Sequence, residues 1–473
     1  MKRSACVTAL GAWALAFGCS VGWGSFVMPG TTFLPVAGPL GTALGLGIGA
    51  LVMLILAANY HFLMNRYPDE GGTYTYTKIC FGYDHGFLSA WFLLLTYIAI
   101  IWANATALPL IARVLLGSAF QFGFDYTIAG FHVYMGEILL AVGALVIAAL
   151  ICLRRAASLR VQIGMSLLMM AGIVICFAAA AGKMGAEGGT MAPAFAAEDG
   201  GLSGTLTIFA LVPWAFVGFE SICHSAAEAK FSLKKTFLIL AFAILTAGAA
   251  YILLSLLAVT ARPEGEDSWL TYIRHLGVYA GLSSQPTFFA ADAALGGTGQ
   301  AVLGAAALCA IFTGLIGNYI ALSRLLRAMA GDGMIPGWIG ELDAHQVPRK
   351  AILCIMGISV ILPFFGRTAI SWIVDVTTVG ATIAYAFAAA AALKTARQEN
   401  NRLHMGLGAA GLIVSVLFAL EFLIPNLLSV KTLSTESYLI LAAWALRCSA
   451  CFCTGTGREE WAGRLSPGSS CWR

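Results

Sequence analysis

Long apolar stretches recur along the whole chain, and short polar segments separate them. A helix needs roughly 20 mainly apolar residues to cross the hydrocarbon of a bilayer. About twelve stretches reach or approach that length, and they cover residues 6–28, 38–64, 86–116, 133–153, 161–182, 204–227, 236–260, 298–328, 350–366, 369–393, 405–425 and 436–453. The pattern predicts an all-α integral membrane protein with about twelve transmembrane helices, the last of them short or atypical.

The composition agrees with this pattern. Of the 473 residues, 59% are hydrophobic and 11% are charged, and the mean hydropathy is +0.85. A soluble protein carries roughly 25% charged residues. The longest segments between the apolar stretches are 183–203 and 261–297, so we expect no soluble domain.

The basic residues are concentrated in alternate loops. With a cytoplasmic N-terminus and about twelve alternating spans, few of the 27 lysines and arginines fall outside, namely Arg113, Lys183, Arg262, Arg274, Arg367 and Lys431. The positive-inside rule therefore predicts that both termini are cytoplasmic. The net charge of +4 then reflects the inner loops and predicts no nucleic-acid partner. The short loops are typical of a bacterial inner-membrane protein.

Two glycine-containing interruptions lie inside apolar stretches, one around Gly22 and Gly24 and the other from Trp214 to Glu220. Helix breaks at membrane depth are tolerated only where the freed backbone is buried in protein or lines a cavity. Matched breaks in two halves of a chain indicate a transport site near the bilayer midplane. The chain therefore reads as a secondary transporter.

Four short motifs carry a family resemblance. They are VGWGSFVMP at 21–29, YPDEGGTYTY at 67–76, WAFVGFE at 214–220 and SRLLRAMAGDGMIP at 323–336. In this order they resemble the amino acid–polyamine–organocation superfamily, in its amino acid permease branch, over about residues 6–400. The resemblance implies the leucine-transporter-type fold with broken helices 1 and 6. Its implied parts are a five-helix repeat at 6–182, an inverted repeat at 204–393, two additional helices at 405–453 and a cytoplasmic tail at 454–473.

Both breaks offer backbone groups to a zwitterion. The half-helix that starts near Gly24 presents free N–H groups and a positive dipole end to a carboxylate, and the carbonyls near Ser20 and Val217 suit an ammonium. Glycine lets the backbone approach a ligand closely, although Gly22 and Gly24 could instead serve helix packing. The predicted substrate-binding residues are Ser20, Val21, Gly22, Trp23, Gly24, Ser25, Tyr97, Asn104, Trp214, Val217, Gly218 and Asn318.

Three of these residues are implied by resemblance to the arginine/agmatine antiporter branch. Trp214 resembles its aromatic roof over the substrate, Tyr97 its hydroxyl-bearing gate, and Asn318 its side-chain recognition residue. The alternatives are an anchoring or packing role for the aromatic residues and helix-joining hydrogen bonds for Asn318 and Asn104.

Glu220 is the candidate coupling residue. An ionisable side chain inside the membrane is costly and marks an ion or substrate path by default. Alternatively, its carboxyl group bonds to backbone freed by the second break and stays fixed. The resemblance also has two departures. Trp23 stands where the family usually has a small residue, and Met169 occupies the place of a lysine found in proton-coupled members. Exchange, sodium coupling and proton coupling through Glu220 remain open.

The sequence predicts no metal and no cofactor. Many of the 12 cysteines lie in apolar stretches, where cysteine behaves as a small hydrophobe. The group Cys448, Cys451, Cys453 and Cys471 has a spacing seen in metal sites, but unpaired thiols or lipid attachment explain it equally well. No H-E-x-x-H or serine–base spacing indicates an enzyme.

The leading hypothesis is a secondary active transporter of amino acids or related amines, proton-coupled or exchanging. A polyamine or organic-amine permease is the alternative, and a channel or a membrane-embedded enzyme ranks below it. A channel would favour charge rings or carbonyl filters repeated by symmetry.

Overall fold

The computed structural model describes residues 6–128, 130–197, 201–366, 368–424 and 433–454, without the side chains of 368, 369, 371 and 447–454. The α-helices are α1 (Ala9–Ser20), α2 (Gly24–Met28), α3 (Leu34–Arg66), α4 (Thr73–Phe81), α5 (Tyr83–Leu116), α6 (Met135–Cys152), α7 (Arg155–Ala186), α8 (Leu202–Ala210), α9 (Val212–Phe216), α10 (Thr236–Ala258), α11 (Trp269–Arg274), α12 (Pro286–Leu295), α13 (Gly297–Gly331), α14 (Arg349–Ser359), α15 (Thr368–Gln398), α16 (Arg402–Leu423) and α17 (Thr435–Thr454).

Shorter helical turns connect several of these helices. A π-helical turn, Pro29–Phe33, follows α2, and the remaining turns are 3₁₀-helices at Phe219–Glu228, Leu233–Lys235, Leu276–Val278, Gly281–Ser284, Gly337–Gly340 and Leu362–Phe365. The prediction of a mainly helical protein is confirmed.

A small hairpin is the exception to this helical architecture. Strands β1 (Asp125–Ile128) and β2 (Phe131–Tyr134) pair antiparallel, with Asp125 opposite Tyr134. The Tyr126 hydroxyl donates to the Phe364 carbonyl at 2.5 Å. Apolar and polar residues alternate over only a few positions here, and this signal is weak beside the long apolar stretches around it.

Eight helices in the described part of the chain are long and apolar enough to cross a membrane, and a ninth is counted if the bent pair Leu202–Ala210 and Val212–Glu228 forms one span. The eight are Gly24–Arg66, Tyr83–Leu116, Met135–Cys152, Arg155–Ala186, Leu233–Ala258, Gly297–Gly331, Trp372–Gln398 and Arg402–Leu423. This confirms an integral membrane protein. The predicted spans 6–28 and 350–366 are divided between shorter elements, so the count of twelve stays a prediction.

The helices differ in how deeply they lie in the bundle. The most apolar parts of α5, α13 and α15 are 72%, 67% and 72% buried, whereas those of α7 and α16 are 33% buried. Small residues let the central helices approach closely. A β-carbon at Gly380 of α15 would lie 2.9 Å from the Phe92 carbonyl oxygen of α5. At this position α5 and α15 therefore approach each other closely enough for their backbones to be in contact.

The last described helix, α17, packs on α5 through two tryptophans. The Trp91 and Trp444 rings stack 4.6 Å apart, and each indole N–H donates to the carbonyl of the other residue, at 3.0 and 3.2 Å. The Asp375 carboxylate accepts from the Ser437 hydroxyl at 2.7 Å. The side chains of the four cysteines near the C-terminus, and the predicted tail apart from Thr454, lie outside the described residues.

Gly204 permits the close contact between α8 and the start of α3. A β-carbon there would lie 2.4 Å from the Val36 carbonyl oxygen and 2.8 Å from the Ala37 Cα. We expect Gly204→Ala to destabilise the protein by about 1–3 kcal/mol because backbone cannot yield as a side chain does. Thermal unfolding in detergent measures this, with Gly47→Ala as the control, since no atom lies within 4 Å of that β-carbon. Equal melting temperatures for the two variants would contradict the expectation.

Candidate functional site

The first helix interruption separates α1 from α2. The Val21 amide makes the last bond of α1, to the Phe17 carbonyl at 2.9 Å. After the interruption, the Ser25 hydroxyl donates to the Gly22 carbonyl at 2.8 Å. The Ser20 carbonyl accepts from the Tyr251 hydroxyl at 3.3 Å. The backbone freed by this break is therefore partly paired within the protein.

The second interruption follows α9 and depends on Gly218. This glycine has φ +105°, and a β-carbon on it would lie 2.7 Å from the Cys19 Cβ and 2.9 Å from the Cys19 carbonyl oxygen. Only glycine tolerates both the backbone angle and the approach of α1. The Ser20 hydroxyl donates to the Phe216 carbonyl at 3.0 Å. The two interruptions are thus hydrogen-bonded to each other.

A cavity of about 40 Å³ lies where the two interruptions meet. The predicted residues that line it are Ser20, Gly22, Trp23, Gly24, Asn104, Trp214 and Val217. Sequence reasoning missed Cys19, Ile100, Ala103, Tyr251, Val374 and Thr377, which also line it. All of these lining residues are uncharged. A water molecule needs roughly 10–15 Å³ by this measure, so the cavity is small.

Aromatic rings form part of the cavity wall. A β-carbon at Gly24 would lie 2.4 Å from Trp214 Cη2, so a residue with a side chain at this position would clash with the indole. Tyr251 on α10 packs edge-on against the same indole, with ring centroids 6.2 Å apart and an angle of 70° between the planes. No motif surrounds Tyr251 in its apolar stretch, so the sequence carried no signal for it.

Asn104 on α5 connects three elements at the cavity. Its side-chain oxygen accepts from the Trp23 amide at 3.5 Å, and its Nδ2 donates to the Ile100 carbonyl at 2.9 Å. A β-carbon at Gly314 on α13 would lie 2.7 Å from that Nδ2. Asn104 therefore both lines the cavity and joins helices, the two roles weighed from the sequence.

The other predicted site residues do not line this cavity: Val21, Ser25, Tyr97, Gly218, Asn318 and Glu220. The Tyr97 hydroxyl pairs with His224 Nε2 at 3.0 Å. Asn318 Nδ2 donates to the Gly314 carbonyl at 2.8 Å, and its side-chain oxygen has no hydrogen-bond partner among the described residues.

The Glu220 carboxyl group is fully buried just after the second interruption. One oxygen accepts from the Gly218 amide at 3.0 Å and from the Tyr385 hydroxyl at 3.1 Å. The other oxygen has no hydrogen-bond partner within the described chain. One carboxyl oxygen of Glu220 therefore supports the backbone freed at the second interruption.

Gln162 on α7 bridges two further helices. Its Nε2 lies 3.2 Å from the Ala14 carbonyl of α1 and 3.2 Å from the Thr313 carbonyl of α13. The Ser166 hydroxyl lies 3.3 Å from the same Ala14 carbonyl. Met169 is also buried on this helix. The uncharged Gln162 amide thus joins α1 to α13. These helices are far apart in the sequence, so no local sequence pattern predicts the contact.

A buried charge cluster lies at the N-terminal end of α1. In this cluster, the Glu228 carboxylate lies 2.5 Å from Arg155 and 2.7 Å from Arg324. The Glu228 carbonyl accepts from the Cys6 and Val7 amides at 2.9 and 3.1 Å. We call Arg155, Glu228 and Arg324 the Glu228 cluster. It ties the N-terminal segment, α7, α13 and the 3₁₀-helix after the second interruption together.

The second and fourth sequence motifs meet beside this cluster. Glu70 accepts two bonds from Arg327, at 2.5 and 2.7 Å, and its carbonyl accepts from His224 Nδ1 at 2.7 Å. The Asp332 carboxylate pairs with Lys78 and with the Tyr74 hydroxyl. Two motifs therefore build the cavity, and two build a charged contact at one end of the bundle.

The helix α12 packs against α2, on the side of the cavity that faces away from the Glu228 cluster. The Thr287 hydroxyl donates to the Phe26 carbonyl at 2.6 Å. The Phe26 and Phe288 rings lie 6.4 Å apart, and a β-carbon at Gly30 would lie 2.7 Å from the Pro286 ring. The segment 261–297 is therefore packed against the first interrupted helix.

Removal of the negative charge at Glu228 should lower the free energy of unfolding of the protein. We expect Glu228→Gln to cost about 3–5 kcal/mol, because the buried Arg324 and the partly buried Arg155 lose their counter-charge. Thermal unfolding in detergent measures the loss. Glu341→Gln is the matched control, since its partnership with Lys350 is exposed and contributes little. Identical unfolding of both variants would refute a structural role for the cluster.

Comparison with known proteins identifies the family of the chain. A family model for amino acid permeases matches residues 8–446. A vacuolar cationic amino acid transporter 4 of Arabidopsis thaliana is 26% identical over 79% of this chain and 60% of its own length. A branched-chain amino acid permease of Lactococcus lactis is 24% identical over 79% and 78%. A methylthioribose transporter of Bacillus subtilis is 24% identical over 69% and 68%.

The chain thus spans 60% of the length of the Arabidopsis relative that it matches. The family model covers nearly the whole chain, and the named relatives are transporters rather than enzymes. The chain is therefore an integral membrane protein that belongs to the amino acid permease family, within the amino acid–polyamine–organocation superfamily.

Proposed function

We propose that the protein is a secondary active transporter that carries small neutral amino acids across a membrane by alternating access. The observation that supports this most directly is the cavity between two hydrogen-bonded helix interruptions. Freed backbone groups around a cavity are a ready site for a zwitterion. We further propose the twelve-span arrangement, with inverted repeats at 6–182 and 204–393, cytoplasmic termini and a bacterial cytoplasmic membrane.

The substrate carboxylate lies in this proposal at the backbone from Gly22 to Gly24, near the Asn104 amide. The substrate ammonium lies at the carbonyls around Ser20 and Val217. Uncharged lining residues and a volume of about 40 Å³ favour a small neutral substrate. A cationic side chain or a polyamine would find no carboxylate among the described lining residues to balance its additional positive charge.

Access to the site alternates through two closures. On the cytoplasmic side, the Glu228 cluster separates as the N-terminal end of α1 moves away from α13. On the outer side, α12 releases the Phe26 carbonyl of α2. Both closures use a few polar contacts, so each can break while the apolar helix packing persists. Gln162 holds α1 to α13 between them.

Proton coupling is assigned to Glu220 in this proposal. Its second oxygen is buried without a hydrogen-bond partner in the described chain, so a proton can be held there. The first oxygen stays with the Gly218 amide at the second interruption. Protonation would thereby act directly on the backbone that borders the cavity.

Transport into proteoliposomes tests the function and the coupling. We expect saturable uptake of alanine, glycine or serine from a labelled panel, driven by a pH gradient. Glu220→Gln should reduce gradient-driven uptake by roughly tenfold or more, while exchange against internal substrate continues.

The matched control is Glu341→Gln, which removes a remote, exposed carboxylate and should leave both fluxes unchanged. If wild-type uptake needs internal substrate and ignores pH, the protein is an exchanger and Glu220 is structural. If a folded protein gives no saturable flux with any amino acid or amine, the transport proposal is wrong for these substrates.

A further inference from the structure

We propose that Tyr251 on α10 sets the size of the amino acid that the site accepts, by holding the Trp214 indole in place against Gly24. This inference rests on the transport function proposed above and names a residue outside the four motifs. It also narrows the substrate class to glycine, alanine and serine.

Tyr251 touches both helix interruptions from a third helix. Its hydroxyl donates to the Ser20 carbonyl at the end of α1. Its ring packs edge-on against Trp214, which belongs to the helix before the second interruption. A second ring contact, 6.2 Å to Phe33, fixes it further, and only 2% of the side chain is exposed. A side chain with these three partners has little freedom to move.

The Trp214 indole is confined by its neighbours. Its Cη2 and Cζ2 atoms lie 2.4 and 2.8 Å from the position of a β-carbon at Gly24, so the ring sits directly on the backbone of α2. An aromatic pair of this geometry is favourable beyond the area that it buries. To enlarge the cavity, the indole would have to leave both Gly24 and Tyr251.

The confined indole limits the space for a substrate side chain. The cavity of about 40 Å³ has room for only a few water molecules. A large side chain such as that of leucine or phenylalanine would therefore have to displace the ring, and the single methyl group of alanine demands the least displacement. One methylene of mismatch in an apolar pocket changes kcat/KM by roughly 10–200-fold. Tyr251 acts in this scheme as a positioning residue for Trp214, in addition to lining the cavity itself.

The two parts of the Tyr251 side chain have separable roles. The ring restrains Trp214, and the hydroxyl anchors the ring to the Ser20 carbonyl. Tyr251→Phe removes only the anchor, so it should keep most of the size limit. Tyr251→Leu and Tyr251→Ala remove the ring and should abolish that limit.

The test compares kcat/KM for leucine and for alanine in proteoliposomes of the full-length protein. For Tyr251→Ala and Tyr251→Leu, we expect the leucine-to-alanine ratio to rise by roughly tenfold or more over wild type. For Tyr251→Phe, we expect a ratio within about threefold of wild type, because this conservative variant keeps the aromatic ring. The ratio is independent of how much protein folds, and Tyr251→Leu retains apolar bulk if the alanine variant is not recovered.

Tyr319→Phe is the matched control, because it removes a buried tyrosine hydroxyl that has no hydrogen-bond partner among the described residues. Its ratio should equal that of wild type. An unchanged ratio in both ring-removing variants would overturn the inference while wild-type alanine uptake still supports the transport function. Wild-type preference for leucine or lysine over alanine would also overturn it. Absence of any amino acid flux in the wild type would instead refute the proposed function itself.

Discussion

The hydrogen bond from the Ser20 hydroxyl to the Phe216 carbonyl joins the two places where a membrane helix is interrupted. Backbone groups released inside hydrocarbon must find partners in the protein or in a watery cavity. This bond pairs a backbone carbonyl at the second interruption with a side chain at the first, and the approach of Gly218 to Cys19 brings the two backbones into contact. The position of Trp214, the cavity and the support from Glu220 all depend on that juxtaposition.

Charged and uncharged chemistry are separated along the bundle. The cavity is built from backbone, aromatic and small polar groups, whereas ion pairs lie away from it, around Glu228 and Glu70 at one end and between Arg113 and Glu137 at the C-terminal end of α5. Ion pairs in a buried place are costly to form and costly to break singly. They suit a contact that must be either closed or open. Neutral groups suit a site that has to release what it binds.

Part of this arrangement could be read from the sequence. The membrane class followed from apolar stretches, and both interruptions followed from glycines placed inside them. The sequence could not show which face of a helix meets which neighbour. Tyr97 and Asn318 therefore stay predicted site residues, and the structure pairs them with His224 and Gly314 outside the cavity lining. Tyr251 escaped notice for the same reason, because its role depends on contacts with residues far away in the chain.

The cavity wall, as far as the structure describes it, adds no charge of its own. A zwitterionic amino acid bound there would leave the site electrically neutral. An elementary charge that crosses a membrane potential gains or loses about 2.3 kcal/mol per 100 mV. The movement of a neutral complex carries no such energy. In the proposed transport cycle, the loaded protein would then reorient without sensing voltage, and an electrogenic step would originate at Glu220.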